Sequence, residues 1–403
     1  MMKALERAVS GSVGVSPKGL RRLAGGHRWV FLDDLRRRPD TPAAPAAVEV
    51  IGPGGERLGE GWFNPKTKLA LRLVTRGERR LGDDLIEARL RAAARYRERV
   101  TAGFEGFRVV HSDADGLPGL TVDRYGEVLV LQQHAAALEP WVPLVVETLR
   151  ALYRPRGILA RNTSPVRALE GLPQETRVLF GSVPERVPFR EGEVTLFAAP
   201  YTGQKTGAFL DQRENHVYAG EHARGRALDV FCYHGGFALQ LARRADEVVA
   251  VDSSAAALAE LERGAAENGP EVARRVSTRR GDAFELLRAA VRAGERFDTV
   301  VLDPPAFAKA RAHKERALAG YRELNVQALK LLNEGGRLFT ASCSHFVDDV
   351  AFGEMLEGAA RDAGRLLRVL ARRGAAACHP ELLGLPESRY LSFVGLEVME
   401  VYA

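Results

Sequence analysis

Cys343 stands between Ser342 and Ser344 in the stretch TASCSHF, directly after GGRLF, which reads as the start of a buried strand. Earlier in the chain, Asp303 closes the apolar run FDTVVL and is followed by Pro304 and Pro305. Two prolines cannot extend a strand or donate backbone hydrogen bonds, so the chain must leave the sheet rigidly there with Asp303 at its rim. Such a rim, with Phe307 just beyond it, suits recognition of a planar base. C5 of a pyrimidine is a poor nucleophile, but a thiolate added at C6 makes it an enamine-like carbon able to take a methyl group from a sulfonium donor. Asp303 can hydrogen-bond the N3/N4 edge of the base, while Ser342, Ser344 and nearby amides can favour the thiolate. The alternative for Cys343 is a small apolar plug, a common use of cysteine. An acid-proline-proline rim expected one strand away favours the chemical reading.

A second constellation precedes these residues. The run Asp229-Val230-Phe231-Cys232-Tyr233-His234-Gly235-Gly236 follows a strand, Asp252 and Ser253 follow the next, and Gly281-Asp282-Ala283-Phe284 follow a third. Paired glycines let a backbone approach a ligand, and an acid at the end of the next strand can hold both hydroxyls of a ribose. HGGF does not supply the GxGxxG of a dinucleotide site, and GQKT at 203–206 lacks the spacing of a phosphate-binding P-loop. S-adenosylmethionine is therefore the better candidate, with Asp282 placed to accept from its adenine amino group. Helix capping is the competing role for Asp252 and Asp282. Cys232 is expected to pack behind the loop, Cys378 lies in a loop with no recognisable partner, and His345 and His379 could shuttle protons but better fit surface or capping roles.

These residues need a scaffold of alternating strands and helices. Strands are expected at 227–231, 247–252, 275–280, 298–302, 336–342, about 366–374 and 390–398, with helices at 237–244, 254–267, 283–293, 315–332 and 347–363. That alternation predicts a doubly wound parallel sheet, whose ligands bind at the carboxyl ends of its strands. In the usual order of such sheets the fourth and fifth strands are neighbours, which sets Asp303 beside Cys343. Residues 1–78 read as a small β-rich module with a proline-punctuated, mobile loop at 36–47, residues 79–196 as an α+β region opened by an arginine-studded helix at 83–100, and residues 197–403 as the α/β domain.

Three cysteines with no CxxC spacing argue against a disulfide framework or a zinc site. No apolar run has transmembrane length, and MMKALERAVSGSVGVSP lacks the apolar stretch of a secretory signal, so a cytoplasmic address is expected. The net charge of +6 rests largely on arginine, whose planar fork grips phosphate, and leans toward nucleic acid; the bland alternative is a solvated surface.

Taken together and in order, GQKTGAFLDQREN, ALDVFCYHGGFALQLA, VDSS, GDAFELL, FDTVVLDPPAFAK, GYRELNVQALKLLNEGGRLFTASCSHF and HPELLGLPESRYL resemble the RlmI-type bacterial 23S rRNA 5-methylcytosine methyltransferases. The likeness extends forward, since KGLRRLAGGHRWVF with LGEGWFNPKTKLALRLV is similar to that family's PUA domain and RVVHSDADGLPGLTVDRYGEVLVLQ to its central domain. It implies a Rossmann-like class I methyltransferase domain with a seven-stranded sheet, preceded by PUA and α+β domains that dock RNA. By the same likeness, Cys343 is the nucleophile and Asp303 lies in the substrate pocket with Pro304, Pro305 and Phe307. Cofactor contacts are implied for Asp229, Phe231, Cys232, Tyr233, Gly235, Asp252, Ser253, Asp282, Ala283 and Asp303. The Lys205–Asp211 stretch, through Lys205, Thr206, Phe209 and Asp211, joins them. Arg21, Arg22 and Arg28 are expected to contact RNA phosphate. Other RNA cytosine methyltransferases carry a second cysteine after the fourth-strand proline; here Ala306 follows Pro305, as in this family, and the group that removes the C5 proton is unassigned. The implied partner is 23S rRNA or a large-subunit assembly particle, with oligomeric state left open, a homodimer included.

Overall fold

The computed structural model describes residues 8–308 and 311–399, and of Arg311 only the backbone. Residues 1–7 of the opening stretch and Lys309 of the DPPAFAK motif lie outside the described residues. The described residues form two compact units: one comprises those up to Phe189 with Ala198–Ala208 and Ala377–Ser388, the other Arg190–Phe197, those from Phe209 to Ala376 and those from Arg389 onward. The boundary expected at 197 therefore does not coincide with a division of the contacts, because two later segments return to the first unit.

In the first unit a six-stranded sheet runs in the order Trp29–Val30, Leu71–Leu73, Arg57–Phe63, Ala46–Ile51, Val9–Val15, Leu35–Arg36. Val13, Val15, Val48, Val50, Phe63 and Leu71 form its core with Leu23 of the helix Pro17–Ala24. That helix starts where Ser16 accepts from the Gly19 amide and Pro17 needs no donor. The loop at 36–47, expected to be mobile, is tied down instead. Arg38 Nε donates to Ser12 Oγ (2.9 Å), Ser12 Oγ to Asp40 Oδ1 (2.8 Å), and Thr41 Oγ1 to the Ser12 carbonyl (2.8 Å). A five-stranded sheet follows in the order Glu175–Gly181, Gly157–Asn162, Val128–Gln133, Leu120–Tyr125, Gly106–His111, accompanied by helices Asp83–Val100 and Val142–Tyr153.

The second unit is built on a seven-stranded sheet. In chain order its strands are Arg226–Val230, Glu247–Asp252, Val276–Arg280, Phe297–Leu302, Leu332–Ser342, Leu367–Arg373 and Ser392–Val398. Spatially they run third, second, first, fourth, fifth, seventh, sixth. The middle strands carry unbroken apolar runs such as Val248–Val251 and Val300–Leu302, buried throughout, as strands covered on both faces require. The first five strands are parallel, whereas the seventh pairs antiparallel with both the fifth and the sixth. The sheet is thus the expected seven-stranded one, parallel through its first five strands and mixed at the edge where the seventh strand reverses. Among the helices, Ala255–Glu267 is capped by Ser254, and Asp349–Ala363 by Asp348 with left-handed Gly364 at its end.

Candidate active site

The parallel register sets Leu302 opposite Thr340, so Asp303-Pro304 and Cys343 leave their strands side by side at the carboxyl end of the sheet. Cys343 Sγ lies 3.8 Å from the Pro304 carbonyl oxygen. Cys343 is only half-buried, while Cys232 and Cys378 are buried. Ser342 and Ser344 flank Cys343 at the strand end. Both are buried, and Ser344 Oγ is engaged by the Tyr321 hydroxyl (2.8 Å) and the Ala308 amide (3.3 Å), which fastens the strand end to the loop after Pro305. Pro304 is buried and Pro305 exposed, and the Phe307 ring packs 4.8 Å from that of Tyr321.

Asp303 is aimed by a chain of side chains. Arg373 Nε donates to Asn215 Oδ1 (2.9 Å), Asn215 Nδ2 to Gln212 Oε1 (2.7 Å), and Gln212 Nε2 to Asp303 Oδ1 (3.0 Å). Gln212 and Asn215 are buried, so their amides cannot exchange these partners for water. Sequence reasoning missed this relay, although Gln212 and Asn215 lie in the GQKTGAFLDQREN motif.

On the cofactor side the first strand feeds a loop with unusual backbone. Phe231 and Tyr233 have φ of +68° and +48°, values non-glycine residues seldom adopt, and Gly235 has +88°. A Cβ at Gly235 would come within 2.2 Å of Leu261 Cδ1, so glycine is required there. The Val251 carbonyl accepts from the Phe231 and Cys232 amides (2.9 and 3.0 Å). Asp252 fixes the loop further, its Oδ2 accepting from the Tyr233 amide (3.0 Å) and its Oδ1 from the Ser254 amide (2.8 Å). Ser254, not Asp252, caps the next helix; Asp282 does cap Ala283–Arg292, accepting from the Glu285 amide (3.1 Å), with its carboxylate at the exposed surface.

Beneath this loop Asp229 is fully buried, and neither carboxylate oxygen has a hydrogen-bond partner among the described residues. Burial, reinforced by the charge of Asp303, pushes its carboxyl up to about 8. Nearby, burial works against the His216 imidazolium. The Glu191 carboxylate, 2.9 Å from Nδ1, outweighs it with help from Asp303 and Asp229, leaving the pKa raised. The His216 ring presses against Gly236, where a Cβ would stand 2.5 Å from Cε1. A buried acid with no close hydrogen bond among the described residues, an acid held by two backbone amides and an acid at a helix start form a cradle that suits the cationic and hydroxyl-bearing parts of S-adenosylmethionine.

Several expected contacts have other partners. Burial and the charges of Asp229 and Asp252 push the Cys232 thiol upward, so it packs as a neutral group. Asp211 is buried and accepts from the Tyr390 hydroxyl at 2.8 Å. Phe209 packs edge-on to Tyr233 at 5.2 Å, Ala283 is buried, and Ser253 is exposed. Lys205 and Thr206 belong to the first unit, where Lys205 has φ +52° and the buried Thr206 hydroxyl is committed to Asp123 Oδ2 (2.6 Å) and the Tyr125 hydroxyl (2.7 Å). Among the three arginines, Arg21 is exposed, half-buried Arg22 lies over the Phe31 ring at 4.7 Å, and Arg28 is half-buried with its pKa lowered by burial. Among the described residues no helix is long and apolar enough to cross a membrane.

Comparison with known proteins converges on the same reading. Residues 13–76 match a PUA-like domain and residues 191–382 an S-adenosylmethionine-dependent methyltransferase family. Proteins named ribosomal RNA large subunit methyltransferase I are 36% identical in Photobacterium profundum, covering 93% of this chain and 95% of theirs, and 36% identical in Aeromonas hydrophila, covering 91% and 94%. The Vibrio cholerae protein of that name is 33% identical over 95% of this chain and 97% of its own. In fold, the chain matches a Streptococcus mutans protein described as a SAM-dependent methyltransferase, with TM-score 0.80 at 18% identity over 97% of this chain and 100% of that one. A methyltransferase complexed with SAH matches with the same values. The chain therefore belongs to the ribosomal RNA large subunit methyltransferase I family, whose methyl donor is S-adenosylmethionine.

Proposed function

We propose that this protein methylates C5 of a cytosine in 23S rRNA through a covalent bond between Cys343 and C6 of the base. The observation that carries the reading is the half-exposed Cys343 thiol beside Asp303-Pro304, at the carboxyl ends of two adjacent strands. The relatives' shared name, ribosomal RNA large subunit methyltransferase I, supports large-subunit rRNA as substrate.

Asp252 is positioned to take the ribose hydroxyls, Asp282 with the Ala283 backbone the adenine, and Asp229 the polar end of the cofactor, with Phe231, Tyr233 and Gly235 shaping the wall. When bound, S-adenosylmethionine supplies an electrophilic methyl group to C5. Cys343 as thiolate adds to C6, and the displaced electron pair makes C5 nucleophilic. Asp303, held by Gln212, hydrogen-bonds the N3/N4 edge and steadies the charge that develops there. Once C5 is methylated, its proton leaves to a base, the C5–C6 double bond re-forms and the Cys343–C6 bond breaks, which returns the thiolate. The target base must leave its stack to reach a rim built this way.

Mass spectrometry of nucleosides from undermodified 23S rRNA, incubated with the protein and labelled S-adenosylmethionine, tests the reading. Labelled 5-methylcytidine from the wild type and none from Cys343→Ala is the expected result. Labelled methyluridine would move the base, and methylguanosine that persists in Cys343→Ala would replace the thiolate mechanism by direct transfer to nitrogen.

A further inference from the structure

A surface pocket of about 380 Å³ is lined by Phe284, Phe307, His313, Arg316, Ala317 and Gly320, and Phe307 follows the Asp303-Pro304-Pro305 rim by two residues. Phe284 lies in the first turn of Ala283–Arg292, and its ring centroid is 6.2 Å from that of Phe307. Ala317 and Gly320 share one face of the helix Lys314–Leu331. Glycine inside a helix weakens it relative to alanine, and here a Cβ would stand 3.4 Å from Phe307 Cδ2, so its absence leaves that ring edge bare. The side chains of His313 and Arg316 are exposed at the mouth of the pocket. Aromatic rings that can stack a base, with a guanidinium and an imidazole at the rim, match the two halves of a nucleotide. The cofactor carries an adenine but no phosphate, so the cationic rim favours RNA.

We propose that this pocket seats a nucleotide of the substrate RNA other than the target base, its base against Phe284 and Phe307 and its phosphate on Arg316 and His313. The proposal rests on the RNA-methylating function above and adds a second point of recognition to it. Phe307 abuts Tyr321, whose hydroxyl engages Ser344 next to Cys343. An occupied pocket therefore bears on the strand end that carries the nucleophile.

The test compares wild type, Gly320→Leu, which fills the pocket, Arg316→Ala, which removes the phosphate contact, and Gly320→Ala as a folding control. Incorporation of labelled methyl into undermodified 23S rRNA gives KM, and calorimetry gives the cofactor Kd. Gly320→Leu should raise the KM for RNA about tenfold or more. Arg316→Ala should raise it severalfold and reduce the slope of log affinity against log salt by about one. Cofactor Kd should stay within about twofold in both, and Gly320→Ala should melt no lower than wild type. A weakened cofactor Kd with unchanged KM for RNA would overturn the proposal and make this an adenine pocket, and variants indistinguishable from an active wild type would overturn it outright. A wild type that labels no RNA would remove instead the function on which the proposal rests.

Discussion

The loop after the first strand and the rim formed by the fourth and fifth strands top the same sheet but are held by different means. Backbone geometry holds the loop: left-handed residues at Phe231, Tyr233 and Gly235, amides paired to Val251 and Asp252, and a glycine wedged against Leu261. Side chains hold the rim: Gln212, Asn215 and Arg373 behind Asp303, and Tyr321 with Ser344 behind Cys343. A binding surface must present a fixed contour to a whole cofactor, which suits backbone. A reacting pair must hold two atoms in register, which side-chain hydrogen bonds can do within a few tenths of an ångström.

If that division is sound, damage to the rim should slow chemistry and spare cofactor binding, and damage to the loop should do the reverse. The largest effect is expected for Cys343→Ala, which should lower methyl transfer by roughly four orders of magnitude or more while cofactor affinity, read by calorimetry, stays within about twofold. Next, Gly235→Ala combines an unfavourable φ of +88° with a 2.2 Å approach to Leu261. A penalty of about 2–3 kcal/mol should weaken cofactor binding by about thirtyfold to 150-fold and lower the melting temperature. Gln212→Ala leaves Asp303 without its aiming hydrogen bond, and kcat should fall about tenfold with cofactor Kd unchanged. If Gln212→Ala weakened the cofactor instead, rim and loop would not be separable.

Per unit of pH, the smallest effect is a pH dependence of stability. Asp229 keeps its proton in the folded protein up to about pH 8, against an ordinary value of 3.8. Between these values the folded state binds more protons than the unfolded state, so its stability falls as pH rises and levels off above about 8, with a slope on the order of 1 kcal/mol per pH unit. His216, raised by Glu191, adds a slope of the same sign as pH climbs from its ordinary value of 6.5 through its raised one. Denaturant unfolding of the cofactor-free protein at several pH values should show this decline, and Asp229→Asn should flatten most of it.

Much of this site could be read from sequence because it lies where strands end. Asp252, Asp303 and Cys343 close or follow apolar runs, Asp229 lies within one and Asp282 follows the polar edge strand Val276–Arg280, and parallel topology brings such strand-end residues to one edge. The relay behind Asp303 was not legible. Its helix, Arg213–Glu221, reads RENHVYAGE, in which buried Asn215 and His216 give no apolar stripe to follow. Thr206 and Asp211 entered only through the family resemblance, and their side chains engage Asp123 and Tyr125, and Tyr390, residues far away in sequence. Local pattern reports where a chain ends a strand; it does not report which distant side chain arrives to occupy a hydroxyl or a carboxylate. The antiparallel seventh strand was hidden for a similar reason, since strand direction depends on how residues 374–391 return to the sheet.

The covalent step is the central claim, and RNA carrying 5-fluorocytidine tests it most directly. Fluorine at C5 prevents loss of the group that must leave before the thiolate can, so the Cys343–C6 bond should persist once the methyl group has been transferred. The account predicts a protein–RNA complex that survives denaturing electrophoresis, requires S-adenosylmethionine, yields a peptide modified at Cys343 and is missing from Cys343→Ala. Labelling of ordinary rRNA at full rate with no trapped complex on the fluorinated RNA, or trapping that persists in Cys343→Ala, would contradict it.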